Sequence, residues 1–237
     1  MKSPWKRRLT TVLCRVLLVL LGAQLFWSCA SPDYRALSDY YAVEPKTICV
    51  LPARNMTTDA EAPLFYMATI GQPLVYRGYY VMPTPLVADI LAREGIDLDG
   101  ESWTVDPHSM REHFGADALL YVTIEEWDTV YNVLSSSVNV TLDYTLVDTA
   151  SGETIWTARG TRRVQGGNAT SSGNFLADLV VGAIDAAVTA ATTDYVPLAS
   201  ELNTEILQSL PPGVYHTDHE RLQKEITAWR QESQANQ

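Results

Sequence analysis

Cysteine, basic residues and long hydrophobic runs are all scarce in this sequence of 237 residues. The N-terminal apolar run, residues 16–28, is shorter than the roughly 17–25 residues that a transmembrane helix needs, which argues against a membrane-spanning anchor. Lys and Arg number 17 against 28 Asp and Glu. Because no basic cluster is large enough to override this acidic excess, the chain is not expected to bind nucleic acid.

Motifs of catalytic and nucleotide-binding sites are also missing. The chain has neither the GxxxxGK[ST] and GxGxxG patterns that cradle phosphates nor the GxSxG turn of serine hydrolases. The segment Asp97–Glu101 resembles a calcium loop but lacks two of the ligands that such a loop needs. His216 and His219 could serve a metal on a helix, yet no third ligand has suitable spacing. We therefore predict no catalytic, cofactor or metal site.

What the chain does have is an export signal at its N-terminus. Five basic residues, the last of them Arg15, lie in residues 1–28, which contain no acidic residue. An apolar run follows and ends in a small residue. A basic head, a short apolar segment and a small residue at the cleavage site are typical of a secretory signal peptide.

Cys29 comes directly after that small residue, and this arrangement resembles the acylation box of bacterial lipoproteins. In those proteins the cysteine is lipidated, and cleavage in front of it makes it the first residue. Leu25 suits the pattern, whereas Phe26 and Trp27 are bulkier than usual. Cys29 is therefore the predicted lipidation site, with a plain signal peptide and an uncleaved anchor as the alternatives. Ala30 at the next position is compatible with sorting to the outer membrane.

The mature chain would be strongly acidic. Cleavage after residue 28 removes five basic residues and no acid, which leaves 12 Lys and Arg against 28 Asp and Glu, a formal charge of −16. Since anionic lipid repels such a chain, attachment must come from acyl chains on Cys29, and two or more are needed for durable anchoring. Cys49 would remain as the one free thiol, in an apolar run that predicts a buried and unreactive side chain.

Apolar periodicity predicts the elements of the exported part. The predicted strands cover residues 46–51, 79–82, 118–127, 137–148 and 154–164, and the predicted helices cover 64–75, 84–95, 107–114 and 175–192. Asp106 is expected to cap the third of these helices and Gly115 to end it. Strand 137–148 alternates apolar and polar residues, which predicts one exposed face. The order of elements predicts an α/β fold, a mixed sheet with helices packed on it.

The expected division of the chain follows from these patterns. It comprises a signal peptide at 1–28, a polar tether at 29–44, an α/β domain at 45–196 and a C-terminal helical and polar tail at 197–237. Seven aromatic residues could either form a binding surface or fill the core: Tyr76, Tyr79, Tyr80, Trp103, Trp127, Tyr131 and Trp156. The hairpin tip near residues 131–137 and the helices after Pro197 are further candidate contact elements.

Several segments together resemble a known family of bacterial lipoproteins, typified by a meningococcal surface-antigen candidate. The resemblance covers roughly residues 46–216, and its most specific segments are Arg77-Gly-Tyr-Tyr-Val-Met-Pro83 and Phe114-Gly-Ala-Asp-Ala-Leu-Leu-Tyr121. The other segments are Ile48–Pro52 with Asn55, Val140–Asp148 with Gly152, Glu153 and Trp156, and Pro212-Gly213 with Tyr215-His216.

This resemblance implies a fold like the amino-terminal domain of TolB and a lipid anchor in the outer membrane, with the protein facing the periplasm. It also implies dimerisation, and as partners a CsgG-like envelope protein and a companion lipoprotein. No catalytic residue carries over from the family, and only Cys29 maps with a defined chemical role. The leading hypothesis is thus a non-enzymatic subunit of an envelope secretion or transport assembly. A module that binds a small ligand or an envelope polymer is the alternative, and a hydrolase is a distant third.

Overall fold

The computed structural model describes residues 34–96, 104–132, 135–166 and 195–235. Its helices in these ranges are α1 (Tyr34–Val43), α2 (Ala62–Tyr76), α3 (Thr84–Arg93), α4 (Pro107–Phe114), α5 (Val196–Leu207) and α6 (His219–Ala235). Its strands are β1 (Thr47–Val50), β2 (Arg54–Asn55), β3 (Tyr80–Met82), β4 (Ala118–Asn132), β5 (Ser135–Asp148) and β6 (Thr154–Gly166). The predicted signal peptide, Cys29, Asp97–Glu101, Trp103 and the predicted helix 175–192 lie outside the described residues.

The strands form one mixed sheet in the order β3-β1-β4-β5-β6, and β2 also pairs with β4. β1 is parallel to both β3 and β4, whereas β4, β5 and β6 form an antiparallel meander. Since β3 and β4 lie on opposite sides of β1, right-handed crossovers place their connecting helices on opposite faces of the sheet. α2 therefore covers one face, and α3 and α4 cover the other.

The face under α2 and α5 carries the largest buried side chains, including Trp127 and Tyr144. Tyr144 donates a hydrogen bond to the side-chain oxygen of Asn203 on α5. The Asn203 amide in turn donates to Thr69 of α2 at 2.7 Å. This chain of contacts gives the buried side chains of Tyr144, Asn203 and Thr69 hydrogen-bond partners within an apolar layer.

α5 belongs to this core, although the sequence pattern predicts a tail outside the domain for residues 197–237. Leu198, Leu202 and Ile206 of α5 are buried. Gly160 allows α5 to approach β6 closely, because a Cβ atom there would collide with the Ile206 side chain. α5 therefore packs on the sheet, although the sequence pattern placed it in the tail at 197–237.

α3 and α4 cover the opposite face of the sheet. Cys49 and Leu119 lie there against Leu91 of α3 and Met110 of α4. Val87 and Leu91 of α3 are buried against the sheet, whereas Leu86 is 50% exposed.

The ends of α4 are as predicted. The Asp106 carboxylate accepts hydrogen bonds from the backbone N–H groups of His108 and Ser109, which is the usual arrangement of a helix cap. Gly115 follows the last helical residue with φ of +65°, the left-handed conformation that glycine adopts without strain. Both predictions are confirmed.

The polar face of β5 is less exposed than predicted. Asn139 and Thr141 are buried. Asn139 donates to Asp128 at 3.2 Å and accepts from Arg163 at 2.6 Å, and Thr141 donates to Glu126 at 2.7 Å. These bonds cross three strands, so neighbouring side chains shield groups that a single strand would leave in water. Sequence alternation identifies the face of a strand but not what lies across it.

The segment predicted as a tether contains α1, which packs on the domain. Tyr40 and Tyr41 of α1 are buried, and so is Ser38. Residues 34–43 are therefore folded structure, in contrast to the polar spacer that was predicted. None of the helices in the described part of the chain is long and apolar enough to cross a bilayer.

The prediction of a mixed α/β fold is confirmed. The predicted strands and helices between residues 46 and 164 are all present, with ends that differ by a few residues, except that strand β4 extends to Asn132. β3 differs in its surroundings, because it is an edge strand with an exposed Tyr80 rather than a buried one. The residues predicted as a polar tail after His219 form α6.

Cys49 should be chemically inert while the protein is folded. Burial raises the pKa of its thiol from 9.0 to about 12. In a variant in which Cys14 and Cys29 are replaced by Ser, we expect alkylation of Cys49 at pH 8 to be slower than in the unfolded chain. The lower thiolate fraction alone should slow the alkylation of Cys49 on the order of 1,000-fold. Rapid labelling in the absence of denaturant would contradict this expectation, and labelling in guanidinium chloride serves as the control.

Candidate functional site

A set of long-range hydrogen bonds in the described residues joins the N-terminal helix to the C-terminal part of the chain. It involves α1, the turn Arg77–Tyr79 between α2 and β3, and the segment Leu210–His219 between α5 and α6. We call this set of contacts the clasp. Its importance lies in its position, because α1 begins five residues after the predicted lipidation site.

Tyrosine hydroxyl groups form the buried part of the clasp. Tyr79 donates a hydrogen bond to the carbonyl oxygen of Pro211. The Tyr40 hydroxyl lies 2.5 Å from that of Tyr79 and is thus placed to donate to it. Tyr41 donates to the carbonyl oxygen of Pro212 at 2.9 Å. Burial raises the pKa of all three tyrosines, that of Tyr41 to about 12, so the hydroxyls stay protonated and act as donors.

Two glycines allow the backbones to touch. The N–H of Gly213 donates to the Arg77 carbonyl at 2.8 Å, and the N–H of Tyr215 donates to the Gly78 carbonyl at 3.2 Å. A Cβ atom on Gly78, which has φ of +82°, would collide with the backbone of His216. A Cβ atom on Gly213 would collide with the Gly78 carbonyl and lie 2.8 Å from the Tyr79 ring. The contact therefore requires glycine on both segments.

His219 joins the clasp to α6. Its side chain is buried, with Nδ1 3.1 Å from the Pro212 carbonyl oxygen and Nε2 2.9 Å from a carboxylate oxygen of Glu44. Both partners accept hydrogen bonds, so a ring nitrogen that carries a proton can donate to its neighbour. Glu44 has φ of +49° and also accepts from Gln223 at 2.6 Å. The residue that follows α1 is thus held by two side chains, those of His219 and Gln223.

α6 also binds α1 along its length. Arg230 donates to the Ser38 hydroxyl at 2.7 Å and to the Ser38 carbonyl at 2.6 Å. Because Glu44 meets the start of α6 and Ser38 meets its later turns, the two helices run antiparallel. Bonds from a guanidinium to two acceptors on one residue restrict both the position and the direction of α1.

The structure accounts for the histidine pair without a metal. His219 has the structural role just described, and Nδ1 of His216 accepts from the backbone N–H of Asp218 at 3.1 Å. Within the part of the chain that the structure describes, no group of three His, Cys, Asp or Glu residues could hold a metal ion. Cys29, the one predicted site residue, lies outside that part.

The seven aromatic residues divide between core and surface. Tyr79 and Trp127 are buried, whereas Tyr76 and Tyr80 are exposed. Most of the large exposed apolar side chains of α2 lie on one side of the helix, and we call this side the α2 stripe; it consists of Leu64, Phe65, Ala68, Val75 and Tyr76. Sequence reasoning overlooked it because α2 is apolar on all sides, so no periodic pattern separates its inner and outer faces.

A cavity of about 340 Å³ lies between α3 and α4. Its lining is mostly apolar, with Ile90, Leu91 and Met110 among the contributors, and its polar groups include His113 and Asp106. The Asp106 carboxylate already caps α4. The cavity is at the small end of the range for ligand sites.

Gly213→Ala should loosen the clasp. The added methyl group must displace either the Gly78 carbonyl or the Tyr79 ring, so we expect a loss of about 1–3 kcal/mol in the free energy of unfolding and faster proteolysis within α1. Gly71→Ala is the matched control, because a Cβ atom at Gly71 meets nothing within 4 Å. In the middle of α2, that change should be neutral or stabilising by up to about 1 kcal/mol. Equal effects of the two substitutions, measured by urea unfolding, would show that the contact is not tight.

The chain is similar to several solved structures. Lipoprotein GNA1162 from Neisseria meningitidis is 28% identical with a TM-score of 0.48, and the match covers 62% of this chain and 99% of that one. The PelC dodecamer from Paraburkholderia phytofirmans is 17% identical with a TM-score of 0.42, over 69% of this chain and 86% of that one.

Sequence comparisons identify the family. The "Putative lipoprotein NMB1124/NMB1162" of Neisseria meningitidis serogroup B is 31% identical over 143 residues, which are 60% of this chain and 66% of that protein, just under two thirds of its length. A profile of the family described as "Putative lipoprotein GNA1162-like" matches residues 33–215, from just before α1 to the clasp residue Tyr215. The chain therefore belongs to the GNA1162-like lipoprotein family.

Proposed function

We propose that this chain is anchored by acyl chains on Cys29 in the outer membrane, facing the periplasm, and serves as a non-enzymatic accessory subunit of an envelope assembly with a CsgG-like protein. The observation that carries the proposal is the clasp, which fixes α1 on the domain directly after the anchor. Four residues lie between Cys29 and Tyr34, and the five residue-to-residue steps of an extended chain span at most about 18 Å. Such a short connection would keep the domain close to the leaflet.

Charge and surface composition agree with a role in binding rather than in catalysis. Several arginines of the described residues contact acceptors of the same chain: Arg162 contacts Glu201 at 2.6 Å, Arg159 contacts Asp143 at 2.7 Å, and Arg230 contacts Ser38. The apolar α2 stripe remains exposed. Partner proteins recognise such surfaces through area and aromatic anchors.

The second candidate function is the binding of a small ligand, and the cavity between α3 and α4 is the observation that favours it. Its apolar lining would suit a small hydrophobic molecule. Soaking or titration with such molecules, followed by a shift of the melting temperature, would test this candidate. The accessory-subunit proposal is preferred because it uses the clasp, which a soluble binding module does not need.

Acylation of Cys29 is directly testable. Cells grown with a labelled fatty acid should incorporate the label into the wild-type chain and not into Cys29→Ser. Mass spectrometry of the wild-type protein should find residue 29 at the N-terminus with its sulfur modified. A bare thiol at Cys29, or equal label in both proteins, would contradict the proposed anchor. Cys14→Ser is the matched control, because Cys14 lies in the predicted signal peptide and its loss should leave labelling unchanged.

The assembly role predicts a complex that depends on the anchor and on the clasp. After solubilisation in mild detergent, the wild-type protein should co-purify with other envelope proteins, with a CsgG-like protein among them. Gly213→Ala should reduce recovery of the complex several-fold at equal abundance of the lipoprotein, while Gly71→Ala should not. Recovery of the wild type only as a free monomer, under conditions that preserve other envelope complexes, would count against the proposal.

A further inference from the structure

The α2 stripe is unusual because α2 carries no charged residue along its whole length, Ala62–Tyr76. Leu64, Val75 and Tyr76 on the outer face are 62%, 55% and 70% exposed. The inner face, with Tyr66, Ile70 and Leu74, is completely buried. Helices that are apolar on all sides are normally covered on all sides. The outer face of α2 is thus expected to meet another apolar or interfacial surface.

The surroundings of the stripe are apolar as well. An open groove of about 260 Å³ runs between α2 and the residues of β3 and α3, and its lining includes Met67, Gly71, Val81, Pro83 and Pro85. A Cβ atom at Gly71 would meet nothing within 4 Å, so the groove is open there. The one polar side chain of the outer face, Gln72, donates to the Tyr76 hydroxyl at 3.0 Å. The stripe and groove together offer apolar area without charge.

The clasp joins α1 to the chain segment that directly follows the stripe. Tyr76 ends α2 three residues before Tyr79, whose hydroxyl contacts Tyr40 of α1. The helical rise from Tyr34 to Tyr40 adds about 9 Å to the roughly 18 Å that the chain from Cys29 can span. A lipid anchor at Cys29 therefore holds Tyr40 within about 27 Å of the acylated residue. The neighbouring end of the stripe cannot move far from the leaflet.

We infer that the α2 stripe lies against the headgroup region of the leaflet that holds the Cys29 acyl chains. This inference rests on the proposed acylation. Tethering makes a weak contact effective, because the anchor supplies a high local concentration of lipid. The absence of charge suits zwitterionic headgroups, and tyrosine is favoured at that depth of a bilayer. The acidic remainder of the domain then faces the aqueous side.

Hydroxyl-radical footprinting of the acylated protein in phosphatidylethanolamine and phosphatidylcholine vesicles tests the inference. At about one protein per vesicle, we expect Leu64, Phe65 and Tyr76 to be oxidised several-fold more slowly than in Cys29→Ser mixed with the same vesicles. Leu86 on α3 and Trp156 on β6 should be unchanged, because neither residue belongs to the α2 stripe. The protection should persist in high salt, since no charge is involved.

Substitutions in the stripe distinguish contact with lipid from coverage by a protein. Leu64→Glu combined with Val75→Glu should abolish the protection of Phe65 and Tyr76, whereas Leu86→Glu, at a similarly exposed position, should preserve it. Equal oxidation of the stripe in acylated and Cys29→Ser protein would overturn the inference. So would protection that appears only with many copies per vesicle, which would identify a second copy as the occupant, or only after a membrane extract is added, which would identify a partner protein.

Failure of the anchor and failure of the inference can be told apart. If mass spectrometry shows that Cys29 is not acylated in cells, the full chain can be coupled through the Cys29 thiol to a maleimide lipid, with Cys14 replaced by Ser and Cys49 buried. Protection of the α2 stripe in that tethered protein would support the lipid contact even though the proposed acylation is wrong. Its absence would overturn the lipid contact itself.

Discussion

The backbone contact between Gly78 and Gly213 is the constraint on which the arrangement of both ends of the chain depends. It brings together segments more than 130 residues apart and leaves no room for a side chain between them. With these two segments in contact, Tyr79 donates to the Pro211 carbonyl. Tyr40 then pairs with the Tyr79 hydroxyl, and Tyr41 donates to the Pro212 carbonyl. A loop between α5 and α6 thereby becomes the platform for the N-terminal helix.

The clasp gives the position of α1 a functional meaning. A lipoprotein can be attached to the membrane through a long spacer or through a short one. Because α1 begins at Tyr34, only residues 30–33 lie between α1 and the proposed lipidation site, Cys29. Arg230, His219 and Gln223 of α6 then hold α1 along its length.

Much of the fold could be predicted from local patterns. Asp106, Pro107 and Gly115 define α4 because capping depends on residues that are adjacent in sequence. The strands from Thr47 to Gly166 followed from apolar runs and turn residues for the same reason. The prediction was wrong where partners are distant. Residues 34–43 look polar and flexible until Pro212 and Tyr79 are placed beside them, and Asn139 looks exposed until Arg163 crosses from β6.

Local patterns are sufficient to predict the mixed α/β architecture, the acidic charge, the buried state of Cys49 and a lipidation signal at Cys29. These properties depend on composition and on residues close together in the chain. Three features became visible in the folded chain alone: α1 packs on the domain, Gly78 meets Gly213, and one side of α2 stays exposed. Each of these needs two surfaces that are far apart in sequence, and the spacing of residues along one chain does not encode which distant surfaces will meet.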